Sequence, residues 1–181
     1  MAFLTLHTST DLDARLARVE LLFLDVDGVL TDGAITYSDS GEELKRFHVR
    51  DGAGVKLWIA AGKRVAIVSG RSSAAVTRRA AELGIVSVRQ GQADKLAALA
   101  EVLAETGLSE EQVCAIGDDL PDLPVLKRVG VAVAVADAAA EVRAAAQFVT
   151  ILPGGHGAVR ETIEWLLKRQ GHWDNAIRHY Q

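Results

Sequence analysis

The sequence predicts an α/β fold, a Rossmann-like three-layer sandwich around a mostly parallel sheet with a β-hairpin inserted after the first strand and no separate cap domain. Three observations carry this. Short apolar runs recur at 21–26 (LLFLDV), 64–68 (RVAIV), 113–116 (VCAI) and 129–135 (VGVAVAV). Such runs fit strands buried on both faces, as in a parallel sheet. Helical patterns lie between them, as crossovers between parallel strands require.

The elements follow in order. After the first run, residues 34–49 (AITYSDSGEELKRFHV) form two strand-like halves around Ser38-Asp39-Ser40-Gly41. That pattern predicts the hairpin, which is too short to be a domain. Helices are predicted at 52–61, 72–83 and 93–106, each followed by glycine (Gly62, Gly84, Gly107), the usual helix stop. Ser109 followed by Gln112 reads as a capping box before the 113–116 strand. Gly154-Gly155-His156-Gly157 reads as a turn before the last helix, since the Lys-Ser/Thr of a phosphate-binding P-loop does not follow it. The tail, 171–181, is polar apart from Trp173 and Tyr180 and is expected to be loosely held unless it docks. Length and pattern together predict one domain over 1–181, with its core at about 19–170.

Composition narrows the function. Of 181 residues, 49% are hydrophobic and 24% charged, with a net charge of -4. An acidic chain without a Lys/Arg run offers no footprint for nucleic acid. No apolar run is long enough to span a membrane, and residues 1–10 lack the basic start and apolar stretch of a signal peptide. The single cysteine, Cys114, lies inside an apolar run and reads as a buried hydrophobe. Together these predict a cytoplasmic protein.

In open parallel sheets, ligands bind beyond the carboxyl ends of the strands. Asp25, Asp27 and Gly28 follow the first run, Ser69, Gly70 and Arg71 the second, and Gly117, Asp118 and Asp119 the third. Lys95 opens the third helix and can face the same edge. Asp25 and Asp27 are two apart, so on an extended strand end they point the same way. Three carboxylates in one crevice repel one another unless a cation joins them, and all-oxygen ligands suit Mg²⁺. Such a metal beside Ser69, Lys95 and helix N-termini suits a phosphate dianion. Asp25 can then attack phosphorus, and Asp27 can protonate the leaving alkoxide and later deprotonate water. Each piece alone has a duller reading: Asp-x-Asp-Gly as a turn, Ser69 as a helix cap, Lys95 as a solvated side chain, Gly117-Asp118-Asp119 as a loop. Their order at consecutive strand ends favours the catalytic one.

These four segments, DVDGVLT at 25–31, Ser69-Gly70-Arg71, Lys95 and Gly117-Asp118-Asp119, resemble the four motifs of the haloacid dehalogenase superfamily over 21–150. The resemblance implies Asp25 as nucleophile and Asp27 as acid/base, with Ser69 and Lys95 on phosphate. It implies Mg²⁺ on Asp25, the backbone carbonyl of Asp27 and Asp118, with Asp119 and Asp122 orienting the metal site. A narrower resemblance runs through DVDGVLTDG at 25–33, GEELK at 41–45, VRDG at 49–52, Gln90-Gly91, GDDL at 117–120, VAVAD at 133–137 and GGHGAVRE at 154–161. It is to the family of 3-deoxy-D-manno-octulosonate 8-phosphate phosphatases. It implies a phosphorylated eight-carbon sugar acid as substrate, on the route to lipopolysaccharide, and a homotetramer assembled through the hairpin, with a neighbouring subunit helping to close each site. By position, it implies substrate contacts at Asp27, His48, Val49, Arg50, Asp51, Gly52, Lys56, Arg71, Arg79 and Lys95. Arg50, Lys56, Arg71 and Arg79 offer cations for a carboxylate as well as a phosphate. The alternative for the arginines is a solvated helix surface, and for His48 a packing role. His48 stands where the family commonly has asparagine, and His156 where it has arginine.

Three further readings stay open on the sequence. A nine-carbon, sialic-acid type sugar phosphate fits the same motifs. A catalytically silent assembly module is opposed by the intact set Asp25, Asp27, Ser69, Lys95 and Asp118. A signalling receiver domain is opposed by the one-residue spacing of Asp25 and Asp27 on the first strand.

Overall fold

Residues 9–180 are described by a computed structural model. The elements run α1 (Ser9–Ala17), β1 (Leu21–Leu24), β2 (Thr36–Tyr37), β3 (Glu43–Leu44), α2 (Val49–Ala60), β4 (Arg64–Val68), α3 (Ala74–Leu83), β5 (Ser87–Arg89), α4 (Lys95–Thr106), β6 (Val113–Gly117), α5 (Leu123–Leu126), β7 (Val131–Ala134), α6 (Ala140–Ala145), β8 (Phe148–Val149), α7 (Ala158–Arg169) and α8 (Trp173–Ala176). The main sheet has the order β5-β4-β1-β6-β7-β8, and every neighbouring pair is parallel. The residues 1–8 that carry most of the leader expectation lie outside the described part. Among the described residues, no helix is long and apolar enough to cross a membrane.

The apolar runs form the strands for the expected reason. All four residues of β1 are buried, with Leu22 facing Val65 on one side and Cys114 on the other. A strand covered on both edges and both faces has no solvent side, so its sequence does not alternate. Trp58 on α2 and Ile163 and Leu166 on α7 are fully buried around it. The chain crosses from β1 outward in both directions, to β4 and to β6. That reversal opens a crevice at the carboxyl end of β1.

The hairpin pairs β2 with β3 antiparallel, Tyr37 opposite Glu43. It is a separate two-stranded sheet. Gly84 and Gly107 end α3 and α4 in the left-handed conformation. The capping box at Ser109 and Gln112 forms as expected.

Several boundaries differ from the sequence expectation. The first strand ends at Leu24 rather than 26, because the Val26 carbonyl turns to accept from the amides of Leu30 and Thr31. The helix expected from 52 begins at Val49, with Gly52 and Gly54 inside it. A side chain at Gly52 would displace the guanidinium end of Arg79, whereas one at Gly54 would crowd Arg160 of α7, its Cα included, so Gly54 serves close packing of the two helices. The helix expected from 93 starts at Lys95, capped by Asp94, whose carboxylate accepts from Leu96 (2.9 Å) and Ala97 (3.1 Å). The tail is not loose through Trp173. That ring packs on the core beneath the cations of Lys168 (5.0 Å) and Arg160 (5.5 Å).

Candidate active site

Four strand ends build one cavity of about 370 Å³, lined by Asp25, Asp27, Ser69, Gly70, Arg71, Gln92, Ala93, Lys95, Asp118, Asp119, Pro121 and Asp122. Asp25 follows β1, Ser69 follows β4, Asp118 follows β6, and Lys95 opens α4. The loop after β1 fits only because residue 28 is glycine. Its φ is +90°, and a Cβ there would lie 2.0 Å from an Asp118 oxygen.

Lys95 is buried and bridges two carboxylates, with its ammonium 2.9 Å from Asp25 and 2.6 Å from Asp122. An ammonium has three donors, so one remains for a ligand. Burial alone would lower the Lys95 pKa, but the charges of Asp25 and Asp122 outweigh it and hold the group above its usual range. Asp122 is saturated from its other side. Its second oxygen accepts from the amides of Asp118 (3.0 Å) and Asp119 (3.3 Å).

Oxygens of Asp25, Asp118 and Asp122 lie within 4.8 Å of one another. Burial is the main cause that pushes the Asp118 carboxyl up to about 8, and the charges of Asp25 and Asp122 add to it. Burial likewise lifts Asp25 to about 6, against the pull of Lys95. Asp118 Oδ1 is buried with no hydrogen-bond partner. A buried carboxylate oxygen left unpartnered among other carboxylates is costly, and a hard divalent cation removes that cost. The donor set therefore fits Mg²⁺. Because Asp122 is spent on Lys95 and two amides, Asp25 and Asp118 are the carboxylates with oxygens to give.

Ser69 is 3% exposed. Its hydroxyl oxygen accepts from the Arg71 amide (3.2 Å), which leaves its proton for a ligand.

The remaining residues singled out in the sequence divide. Asp27 and Arg71 line the cavity. His48, Val49, Arg50, Asp51, Gly52 and Lys56 sit at and within the first turns of α2, and Arg79 sits on α3; none of them lines it. Val49 and Lys56 are exposed. Arg50 lines a separate cavity of about 610 Å³ with Ile151, Leu152 and Arg160. Arg79 pairs with Glu82 (3.2 Å). The Asp51 carboxylate, 1% exposed, accepts from the amides of Gly157 (3.2 Å) and Arg160 (2.8 Å). It caps α7 from the neighbouring helix. Burial raises its pKa against those hydrogen bonds. His48 Nδ1 is buried without a hydrogen-bond partner, and His156 bonds the Gly154 carbonyl (2.7 Å). Burial raises the Cys114 thiol, in keeping with an inert core residue.

Two residues escaped the sequence reading. Lys45 and Glu43, from the hairpin, reach into the site. Lys45 pairs with Asp27 and lies 3.6 Å from Glu43. Arg71 binds Glu43 (2.7 Å) and lies 3.8 Å from Asp27. The signal was present: Glu43 and Lys45 are two apart in a segment that reads as a strand in the sequence, so they are expected to share a face, and Lys45 lies just past the end of β3.

The chain is similar to known proteins in sequence and in fold. A model of the haloacid dehalogenase-like hydrolase family matches residues 81–160. The 3-deoxy-D-manno-octulosonate 8-phosphate phosphatase of Escherichia coli K12 is 46% identical over 168 residues, 93% of this chain and 89% of the relative. The Yersinia pestis enzyme of the same name has a crystal structure that superposes with a TM-score of 0.89 at 46% identity, covering 91% of this chain and 89% of that one. That of Moraxella catarrhalis, in complex with magnesium ion, phosphate ion and KDO, superposes with a TM-score of 0.93 at 40% identity, covering 96% and 100%.

Proposed function

The chain belongs to the 3-deoxy-D-manno-octulosonate 8-phosphate phosphatase family of haloacid dehalogenase-like hydrolases, and from that premise we propose how its own residues carry the reaction. The protein is a Mg²⁺-dependent phosphatase that hydrolyses 3-deoxy-D-manno-octulosonate 8-phosphate to the free sugar acid and phosphate, a step of lipopolysaccharide biosynthesis. The observation that carries the proposal is the unpartnered Asp118 oxygen beside Asp25 and Lys95.

Asp25, Asp118 and the Asp27 backbone carbonyl would hold Mg²⁺. When bound, it neutralises charge on the transferring phosphoryl group. Lys95 holds Asp25 in place and offers its third donor to the phosphate, and Ser69 offers its hydroxyl proton. An Asp25 oxygen forms a bond to phosphorus as the bond to the sugar oxygen breaks. Asp27 gives its proton to that oxygen as the sugar leaves. Asp27, now a carboxylate, takes a proton from water, which attacks phosphorus and releases phosphate from Asp25. Asp119 and Asp122 orient the loop and the lysine.

The sugar carboxylate needs a cation, and of the two that line the cavity, Lys95 is committed to Asp25 and Asp122, which leaves Arg71. His48, Val49, Arg50, Asp51, Gly52, Lys56 and Arg79 would contribute from the start of α2, from α2 and from α3, beyond the cavity wall, where a neighbouring subunit would complete the site. Exposed Ile35, Tyr37 and Leu44 on the hairpin support assembly as a homotetramer, which sedimentation at a single chain mass would refute. A cytoplasmic setting agrees with the lone buried Cys114, and fractionation tests it.

Phosphate release from a panel of eight- and nine-carbon sugar-acid phosphates tests the reading. Preference for the eight-carbon ester, lost with excess chelator, is expected. Equal rates across the panel would discard the substrate assignment and keep the chemistry.

A further inference from the structure

We propose that Lys45, carried in on the hairpin, is a positioning residue for the proton transfers of Asp27. The inference rests on the phosphatase reading above and deepens it. Lys45 belongs to an exposed hairpin, yet its side chain is only 2% exposed. Its ammonium is spent within the site, on Asp27 Oδ1 and, at 3.6 Å, on Glu43. Arg71 closes the ring, 2.7 Å from Glu43 and 3.8 Å from Asp27. Asp27, Lys45, Glu43 and Arg71 thus form one ring in which acids and cations alternate.

The two oxygens of Asp27 are treated differently. Oδ1 holds Lys45, whereas Oδ2 is buried with no hydrogen-bond partner, the Arg71 guanidinium standing off it at 3.8 Å. A buried unpartnered oxygen costs stability and is kept where a ligand will use it. Lys45 therefore fixes the rotamer of Asp27 and leaves Oδ2 as the oxygen that trades a proton with the leaving group and then with water. Glu43 keeps the Lys45 ammonium from swinging into the cavity, and Arg71 keeps Glu43 ionised by hydrogen bonding. The hairpin is then part of the catalytic apparatus of its own chain, beyond any role in assembly.

The test compares Lys45→Met, Asp27→Asn and the double variant on the sugar-acid 8-phosphate and on p-nitrophenyl phosphate. The nitrophenolate leaves without needing a proton, so its first-turnover release does not depend on the acid role of Asp27. Arg46→Gln serves as a control, since Arg46 pairs with Asp32 from the same hairpin without touching Asp27. Lys45→Gln, closer in polarity, replaces Lys45→Met if melting shows that the latter does not fold. The expected loss in kcat on the sugar-acid ester is about tenfold or more with less than about threefold change in KM, as misplacement of an acid/base group gives. First-turnover nitrophenolate release stays near wild type, the double variant is no slower than Asp27→Asn, and Arg46→Gln is unaffected. Wild-type turnover in the folded Lys45 variant, equal loss on both esters, or losses that multiply in the double variant would overturn the proposal. A wild-type protein that releases phosphate from neither ester would instead overturn the phosphatase reading itself.

Discussion

Asp118 and Asp122 line one cavity four positions apart, yet their partners give them opposite tasks. Asp122 accepts from Lys95 and from two backbone amides, so its charge is already compensated. Asp118 keeps an oxygen bare. The resemblance implied a metal ligand at Asp118 and an orienting role at Asp122, and these hydrogen bonds are what would separate the two roles. Asp25, Asp27, Ser69, Lys95 and Asp118 were legible because each follows a strand or opens a helix on one edge. Lys45 was not, because reaching Asp27 depends on how far the hairpin folds back. Lys95 shows the cost of breaking such a set. Lys95→Ala leaves Asp25 and Asp122 without their cation, and an uncompensated buried charge costs roughly 3–5 kcal/mol. The metal-free variant should melt well below the wild type, and its kcat should fall by roughly 10²–10³-fold from the lost transition-state donor. A variant that melts and turns over like the wild type would show that the lysine is a bystander.

At the scale of elements, α7 packs along α2, where Gly54 admits Arg160, and one side chain adds a polar tie. Asp51 reaches across to cap the amides of Gly157 and Arg160, and the loop just before them leans on the loop after β1 through the Gly155 amide and the Val29 carbonyl (2.9 Å). The resemblance implied a substrate contact at Asp51, and the carboxylate is engaged in this cap. Asp51→Ala should destabilise the fold by about 0.5–2 kcal/mol, as lost helix caps do. Denaturant titration measures this, and an unchanged midpoint would show that the cap contributes nothing. The strands of the sheet centre were legible as apolar runs, since burial on all sides leaves one signal. The edge strands were not. β5 is only partly buried along its length, and its Arg89 pairs outward with Glu101 (3.1 Å) and Glu105, so no apolar run marks it. β8 is two residues long, and Phe148 finds its burial by stacking on Trp165 at 4.3 Å, a contact no local pattern announces.

At the scale of the whole molecule, the acidic cavity couples metal, pH and stability. Burial pushes the Asp25 and Asp118 carboxyls up, to about 6 and about 8, from the ordinary carboxylate value of 3.8 that the unfolded chain is taken to have. The native state therefore holds more protons than the unfolded chain across that window. Metal-free stability should fall as pH rises from about 4 to about 8. Mg²⁺ binds the folded, ionised site and should raise Tm more at about pH 8 than at about pH 5.5. Thermal melts at both pH values, with Mg²⁺ and with chelator, measure it. A Tm gain that does not grow with pH would contradict a metal held by these carboxylates. The fold class was legible at this scale because a parallel sheet constrains every central strand at once, whereas the docking of the tail through Trp173 depends on how the chain turns after α7 to bring the ring under Lys168 and Arg160.

The most direct test of the central claim is phosphate release from 3-deoxy-D-manno-octulosonate 8-phosphate by Asp25→Asn beside the wild type, with Mg²⁺ present. Asparagine keeps the volume and removes the nucleophile. At neutral pH the buried charge of Asp25 is itself unfavourable, as its raised pKa shows, so the variant should remain folded. The expected result is a folded protein without turnover. Retention of most of the wild-type rate would contradict covalent catalysis by Asp25.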